Sequence, residues 1–247
     1  MPTISALDHL VIVVPNLDHA IAEFTDLGFN VMQGGTNGPT QNALIGFANN
    51  TYLELISIPS RSSGILLRLL AKSGLLAKSS LKRRLFIWFN GQFGFRDWCL
   101  KAKLDSLDGS ESEPKLEMCR AEEFTRTRPD GTEVLWVLTA PTDRNLPFLI
   151  ADQTEESLRI PQIILAPHPN GLSSITRLGM SNSRVVAYQD RIGLLRPFLI
   201  SKKSEIEFEE SSYSEREILI WLGNDAGHAA RLHIDSKGSP TLRSDQA

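Results

Sequence analysis

The chain has 247 residues, of which 41% are hydrophobic and 22% are charged, and its formal net charge is −3. This composition is that of an ordinary globular protein, and it excludes a disordered, collagen-like or coiled-coil chain. The slightly acidic balance argues against a dedicated binder of nucleic acid or of an anionic membrane surface. Two cysteines are too few for a disulfide framework or a thiolate zinc site.

The N-terminal segment is not expected to be a secretory signal, because it has no basic residues and Asp8 and His9 interrupt its apolar run. No stretch approaches the ~18 uninterrupted apolar residues of a membrane-spanning helix. The two cysteines suit a reducing compartment. We therefore expect a cytoplasmic protein that has no membrane segment.

The first unit, residues 1–58, is predicted to contain a strand, a helix and three further strands. Residues 7–14 form a continuous apolar run typical of a buried strand. Asn16 is suited to cap a helix whose apolar positions recur every three or four residues, and Gly28 stands just after its end. The three following strands are predicted near 29–33, over 42–47 and over 52–58.

The middle of the chain is predicted to hold a helical insertion and then a second unit. Residues 59–84 include an amphipathic apolar segment, which favours an inserted helix. The second unit, residues 85–153, is expected to have a strand over 85–90 and a helix over 97–104. Its remaining strands are expected to flank the turn at Pro129-Asp130-Gly131 and to cover 146–151.

The pattern of the first unit returns near the C-terminus. Residues 7–29 align with residues 172–194 without a gap, which places Asn16 on Ser181 and Gly28 on Gly193. Because the helix caps and the apolar helix face agree together, a third βαβββ-like unit is predicted over 170–236. Residues 237–247 are expected to form a flexible tail.

Several segments together resemble the glyoxalase-like branch of the vicinal oxygen chelate superfamily, over about residues 6–195. They are LDHLVIVVPNLDHAI, GGTNGPTQNALIGF, TYLELI, RTRPDGTEVLWVL, LPFLI and HPNG. The resemblance implies an α+β fold in which repeated βαβββ modules form a curled mixed sheet and an open cleft, here with a small helical insertion. It also implies a cleft that in many members holds a divalent metal, and it leaves open a homodimer, since members often pair modules across one.

His9 and Glu54 are the principal candidates for chemistry. Both occur inside apolar strands, where a polar side chain is costly unless its polar atoms find partners. By resemblance they match the two metal positions of the first module, and imidazole plus carboxylate suits Fe, Mn, Zn or Ni. The ligand set looks incomplete, because Ser174 aligns with His9 and Asn37 stands where the family commonly has histidine. A metal site, a metal-independent catalytic pair and a core pair without chemistry all stay open.

Further residues are predicted to complete the cleft. Arg128 is expected to hold an anionic oxygen during catalysis, and Arg126 flanks the same hairpin as a candidate for substrate binding. Asn42 resembles a family asparagine and is expected to orient His9 or the substrate. The aromatic residues expected to line an apolar cleft are Trp88, Phe89, Trp136 and Phe148.

The first functional hypothesis is a small-molecule enzyme that acts on an oxygenated, partly apolar substrate through an enol-type intermediate. As the resemblance implies, it would be an isomerase, cyclase, epimerase, or ring-cleaving lyase or dioxygenase, and the incomplete ligand set favours metal-independent proton transfer. The second hypothesis is a protein of the same fold that sequesters a hydrophobic small molecule. The third is a degenerate module with a filled cleft, so a cavity lined by His9 and Glu54 favours the first two.

Overall fold

The computed structural model describes residues 3–4, 7–37, 39–72, 81–106, 116–128, 130–160, 165–195, 199 and 206–244. In chain order the first elements are β1 (Thr3–Ile4), β2 (Leu7–Val13), α1 (Leu17–Asp26), β3 (Met32–Asn37), β4 (Thr40–Phe47), β5 (Thr51–Ser57), α2 (Arg61–Lys72) and α3 (Leu81–Trp88). They are followed by β6 (Gly94–Lys101), a short 3₁₀ helix (Leu104–Ser106), β7 (Glu122–Thr127), β8 (Glu133–Thr139), β9 (Phe148–Asp152) and α4 (Glu156–Arg159). The last elements are β10 (Ser174–Ser181), α5 (Asn182–Leu195), β11 (Ile206–Ser211), β12 (Ile218–Gly223), β13 (Ala229–Ile234) and β14 (Pro240–Ser244).

The first two units build one mixed eight-stranded sheet in the order β3-β4-β5-β2-β6-β9-β8-β7. Strand β2 pairs in parallel with β5, and β6 pairs in parallel with β9. The antiparallel pair β2–β6 joins the two halves at the centre. Each half therefore repeats the same strand arrangement about this central pair, and the sheet is curled, as the predicted α+β fold requires.

A second sheet of six strands has the order β1-β11-β10-β12-β13-β14. It contains the strand–helix–three-strand order predicted for the C-terminal unit, and α5 begins at Asn182, directly after the predicted cap. Two details differ from expectation. Gly193 lies inside α5, which continues to Leu195, and β14 occupies much of the expected tail because it pairs with β13 along Pro240–Ser244.

Two elements of the second unit were predicted wrongly. Residues 85–90 are not a strand, since α3 runs to Trp88 and buries Leu81, Arg84 and Trp88 at helical spacing. A buried arginine at one of these positions hides the apolar helix face from sequence analysis. Residues 97–101 belong to strand β6 and not to a helix. Because β6 is central and buried on both faces, it lacks the alternation that marks a half-buried strand.

The two faces of the eight-stranded sheet pack into different cores. Leu10 and Ile12 of β2 point into the larger core, which also contains α1 and the inner face of the six-stranded sheet. Trp98 joins the two sheets there, with its ring centroid 5.0 Å from that of Tyr188 and 4.9 Å from that of Phe208. Val11 and Val13 point the opposite way, toward α3 and β9. This second face carries the candidate site.

No helix in the described part of the chain is long and apolar enough to cross a membrane.

Candidate functional site

A cavity of about 300 Å³ opens on the second face of the eight-stranded sheet, between its strands and the helices α2 and α3. Eight of the nine predicted site residues line this cavity: His9, Asn42, Glu54, Trp88, Phe89, Arg126, Trp136 and Phe148. Lining residues that the sequence did not indicate include Leu44, Tyr52, Leu67, Phe86, Phe124, Leu138, Ile150 and Arg159. An open cavity is thus present where His9 and Glu54 meet.

Arg128, the ninth residue, lies elsewhere. Its Nη1 donates to the carbonyl oxygen of Leu158 at 3.3 Å, and its Nε is 3.4 Å from Oδ2 of Asp130. Arg126 still belongs to β7 and points inward, whereas Arg128 follows the end of that strand at the hairpin turn. The predicted contact of Arg128 with the substrate therefore has no support from its position.

An irregularity in β2 sets the direction of His9. Leu7 pairs with Leu100 and His9 pairs with Cys99, so Asp8 is an extra residue opposite a single step of β6. Such a β-bulge reverses the side-chain alternation, and bulges are frequent beside active sites. Leu7 accordingly packs in the larger core, while His9, two residues later, lines the cavity.

Asp8 and His9 form a hydrogen-bonded pair. Nδ1 of His9 lies 2.6 Å from Oδ1 of Asp8, and Arg159 donates to both carboxylate oxygens at 3.0 and 2.7 Å. Burial by itself raises the pKa of Asp8, but the Arg159 charge and the His9 hydrogen bond outweigh it and hold that pKa well below its usual range. An ionised carboxylate only accepts, so Nδ1 of His9 is the donor to Asp8, and Nε2 is the ring nitrogen on the side of Glu54 and the cavity.

Arg159 is the centre of the buried polar network behind the pair. Besides Asp8 it binds both oxygens of Asp152, at 2.6 and 2.9 Å, and donates to the hydroxyl of Tyr52 at 2.9 Å. The Tyr52 ring in turn stacks on the His9 imidazole, with centroids 4.7 Å apart. Burial first, and the charge of Asp8 as well, raise the pKa of Tyr52 well above its usual value, so its hydroxyl stays protonated.

Glu54 approaches the other side of the imidazole. Its Oε2 is 3.7 Å from Nε2 of His9, too far for a hydrogen bond but close enough to stabilise the ring's charge whenever the imidazole is protonated. Its Oε1 accepts a hydrogen bond of 2.7 Å from Nδ2 of Asn42. Asn42 therefore orients Glu54. Gly34 makes room for this amide, because a Cβ atom at that position would lie 2.1 Å from Oδ1 of Asn42.

Arg126 brings a positive charge to the cavity wall. Its Nη2 donates to the carbonyl oxygen of Arg159 at 2.9 Å, whereas its buried Nε has no hydrogen-bond partner among the described residues. Burial lowers the pKa of Arg126, although Tyr52 and Glu54 oppose this effect. A buried donor without a partner costs about 1–3 kcal/mol. An oxygen of a bound ligand would remove that cost.

Aromatic side chains form the rest of the wall. Trp88 donates its Nε1 proton to Oδ2 of the buried Asp97 at 3.0 Å, so its polar atom is satisfied while its ring lines the cavity. Phe124 and Trp136 stack nearly parallel, with centroids 6.2 Å apart. Phe148 meets His9 edge to face at 5.3 Å. His9 is thus set in an apolar surface that suits the hydrocarbon part of a ligand.

Two groups of potential metal ligands occur near His9. The ligand atoms of Asp8, His9 and Cys99 lie within 4.8 Å of one another, but Arg159 and His9 already occupy the Asp8 carboxylate. Burial, reinforced by Asp8, raises the pKa of the Cys99 thiol, which disfavours the thiolate that a metal requires. Toward the cavity, Nε2 of His9 and Oε2 of Glu54 are two side-chain atoms of the kinds that divalent metals bind. Catalytic sites usually have three protein ligands, and the described lining residues supply no third His, Cys, Asp or Glu.

Three site residues were not predicted from the sequence, namely Asp8, Arg159 and Tyr52, and only one of them could have been. Asp8 stands beside His9 inside a buried strand. A second polar residue in an apolar run indicates a functional or strongly bonded side chain, so the sequence could have identified Asp8. Arg159 lies in the polar segment QTEESLR, 151 positions from Asp8, and no local pattern links the two. Tyr52 reads as an ordinary aromatic strand residue.

One solved structure and one family model support this fold. No match was found among curated proteins. A crystal structure of a hypothetical protein from Staphylococcus aureus has a TM-score of 0.65 at 16% sequence identity, covering 96% of this chain and 97% of that one, which is a likeness of fold. A crystal structure of a Mn(II)-bound glyoxalase from Novosphingobium aromaticivorans has a TM-score of 0.41 at 7% identity, covering 98% of this chain and 85% of that one. The family model described as Glyoxalase-like domain matches residues 7–193, which is most of the chain. The chain therefore belongs to the Glyoxalase-like domain family, as its resemblance to the vicinal oxygen chelate superfamily predicted.

Proposed function

We propose that the protein is a small-molecule enzyme that moves a proton on an oxygenated, partly apolar substrate through an enol-type anion, as an isomerase, epimerase or lyase. The observation that carries this proposal is the hydrogen bond between Asp8 and Nδ1 of His9. With Nδ1 donating to Asp8, the basic nitrogen of the neutral imidazole is Nε2 at the wall of an apolar cavity, which is the arrangement of a general base.

The substrate would be held at two kinds of surface. Its apolar part would contact the aromatic wall, while an anionic oxygen, of a carboxylate or of the developing enolate, would bind the free Nε of Arg126. A guanidinium group suits this task because it stays charged and donates in a fixed plane. The apolar surroundings strengthen the interaction by excluding water.

In the proposed step, Nε2 of His9 removes a proton from the carbon next to the substrate carbonyl. The electron pair of the broken C–H bond forms a carbon–carbon double bond, and the π pair of the carbonyl group moves onto its oxygen, where Arg126 stabilises the negative charge. Asp8 and Glu54 stabilise the imidazolium ion, being 2.6 and 3.7 Å from its two nitrogens. Return of the proton from His9 to a neighbouring carbon completes an isomerisation, delivery of a proton from water to the opposite face completes an epimerisation, and loss of a leaving group from the anion completes an elimination.

Proton exchange tests this proposal without knowledge of the natural substrate. The protein is incubated in D₂O with a panel of enolisable carboxylic acids and ketones, each with an apolar substituent, and NMR follows loss of the signal of the proton next to the carbonyl. We expect exchange on some members, and a fall of about 10²–10⁴-fold in His9→Gln. The matched control is His19→Gln on the exposed side of α1, which should exchange like the wild type. Equal rates in His9→Gln and the wild type would reject His9 as the base.

A second candidate function is sequestration of a hydrophobic small molecule. The observation in its favour is that aromatic and aliphatic side chains make up most of the cavity wall. This function predicts saturable binding of apolar oxygenated compounds, with the ligand recovered unchanged and without deuterium. The cytoplasmic location and the homodimer expected from the sequence stay predictions.

A further inference from the structure

A second pocket lies on the other side of α3 and has a different character from the cavity. Leu85, Phe86 and Trp88 of this helix, with Phe89 directly after it, line the cavity, whereas Arg83, Arg84 and Ile87 line the second pocket. The other lining residues of this pocket, which we call the arginine pocket, are Cys119, Pro141, Thr142 and Arg144. Its volume is about 230 Å³, and its wall has three guanidinium groups and no carboxylate.

One of the three guanidinium groups is part of the protein framework. Arg84 donates from Nε and Nη2 to the two oxygens of Asp97, at 2.8 and 2.7 Å, and also to two backbone carbonyls. Arg83 and Arg144 differ, since neither forms a hydrogen bond or ion pair with the described residues. The side chain of Arg84 is therefore held in place by the protein. The guanidinium groups of Arg83 and Arg144 are available to bind a ligand.

A further buried arginine, Arg184, lies close to Arg84 and Asp97, and few carboxylate groups balance its positive charge. Arg184 is only 8% exposed, and its Nε and Nη1 have no hydrogen-bond partner among the described residues. Its nearest carboxylate is Asp97, 4.0 Å away and already bound to Arg84. Burial first, and then the charge of Arg184, lower the pKa of Arg96 to about 10.

Of the remaining acidic groups near these arginines, Asp143 is in an ion pair, whereas Glu117 and Glu215 accept hydrogen bonds from hydroxyl groups and keep their charge. Asp143 pairs with Arg191 at 3.1 Å, Glu117 accepts from the hydroxyl of Thr142, and Glu215 accepts from that of Ser183. Arg144 adds to the positive field at Arg96 and Arg184. An anion in the arginine pocket would balance a charge that the described carboxylates leave in excess.

We propose that the arginine pocket binds a phosphate group, either as the free ion or as the head of a small phosphomonoester, between Arg83 and Arg144. Planar guanidinium groups bind such oxyanions through paired, charge-assisted hydrogen bonds. This site is separate from the proposed catalytic cavity and does not depend on its function. The two adjoin through Asp97, which holds Arg84 on one side and Trp88 of the cavity wall on the other.

Calorimetric titration with inorganic phosphate, and separately with methyl phosphate, tests the proposal at constant ionic strength. We expect one saturable site in the wild type and binding weaker by about tenfold or more in the double variant Arg83→Gln/Arg144→Gln. The matched control, Arg177→Gln/Arg243→Gln, removes the same charge at solvent-accessible side chains of β10 and β14 in the other sheet and should bind like the wild type. Thermal unfolding of each variant confirms that it is folded.

The titrations distinguish free phosphate from a phosphomonoester as the ligand, and they also show whether the proposal fails. Equal binding of both compounds identifies a phosphate group, and binding of inorganic phosphate alone identifies the free ion. No saturable binding of either compound by the wild type would overturn the proposal. So would equal weakening in the two double variants, because that result would reflect net charge and not the arginine pocket.

Discussion

Oδ1 of Asp8 lies 2.6 Å from Nδ1 of His9, although the two residues are adjacent in a strand, where neighbouring side chains ordinarily point to opposite faces. The β-bulge at Asp8 makes this contact possible, and Arg159 fixes the carboxylate from behind. The base of the proposed reaction and the group that orients it thus come from one dipeptide.

Replacing Asp8 by Asn should reduce proton exchange strongly. The amide no longer balances the imidazolium charge or fixes the proton on Nδ1, so the exchange rate measured by NMR in D₂O should fall about 10²–10⁴-fold. Asp26→Asn, at the exposed end of α1, is the control and should retain the wild-type rate. An active Asp8→Asn protein would show that the pair has no catalytic role.

Asp8 should also make stability depend on acid pH. Its folded-state pKa lies below the unfolded value of about 3.9, so the stabilisation is fully present above pH 4 and is lost as the pH falls toward the folded value. In that range the wild type should lose up to about 1.4 kcal/mol of unfolding free energy per pH unit more than Asp8→Asn does. Urea unfolding between pH 5 and pH 2 measures the difference, and parallel curves would contradict it.

Removing Arg159 should destabilise the fold. Arg159→Met leaves the buried Asp8 carboxylate without its cation, which should lower the unfolding free energy by roughly 3–5 kcal/mol. Arg177→Met is the matched control, because Arg177 pairs with Glu207 and Glu209 at exposed positions, where ion pairs contribute at most about 1 kcal/mol. Similar losses of unfolding free energy in both variants would mean that the buried ion pairs of Arg159 contribute no more than exposed ion pairs.

Arg126 and Arg128 should differ in their effect on ligand binding, although they are two residues apart. Arg126→Gln should weaken binding of a carboxylate ligand by about tenfold or more and leave a neutral analogue of the same shape unaffected. Arg128→Gln should change neither, because its side chain turns toward Leu158 and Asp130. Calorimetry with the acid and its methyl ester measures these effects. Weaker binding of the acid by Arg128→Gln, with unchanged binding by Arg126→Gln, would restore the role predicted for Arg128 from the sequence.

Proton exchange should not need a divalent metal. His9 and Glu54 offer two ligand atoms, and the described lining residues add no third side chain of a ligating type. Dialysis against a chelator should therefore leave the exchange rate within about twofold of its starting value. Loss of exchange that Mn²⁺ or Zn²⁺ restores in the wild type, but not in Glu54→Gln, would establish a metal site instead.

The sequence predicted the fold where each element has a simple pattern. Asn16 and the apolar positions after it identified α1, and the N-cap is confirmed because its side chain accepts from the backbone N–H of His19. The predictions for two elements of the second unit were wrong, because burial removes the hydrophobic patterns that distinguish a helix from a strand. Strand β6 is covered on both faces, and the inner face of α3 includes Arg84, whose charge is neutralised by Asp97 thirteen residues away.

The candidate site could be predicted only in part for a related reason. His9 and Glu54 were visible as polar residues inside apolar strands, and most of the aromatic wall was identified from composition and position. The network around Arg159 depends on contacts that are distant in sequence, and the bulge at Asp8 depends on pairing with β6. Neither leaves a local signal, because both arise from tertiary packing.

The protonation state of His9 is the most direct test of the proposed mechanism. NMR of protein labelled with ¹⁵N histidine, recorded near pH 8 and assigned by comparison with His9→Gln, reports which ring nitrogen carries the proton. We predict a proton on Nδ1 of His9 and an unprotonated Nε2, because the ionised Asp8 accepts from Nδ1. A proton on Nε2 would contradict the account, since the imidazole would then have no basic nitrogen facing the cavity.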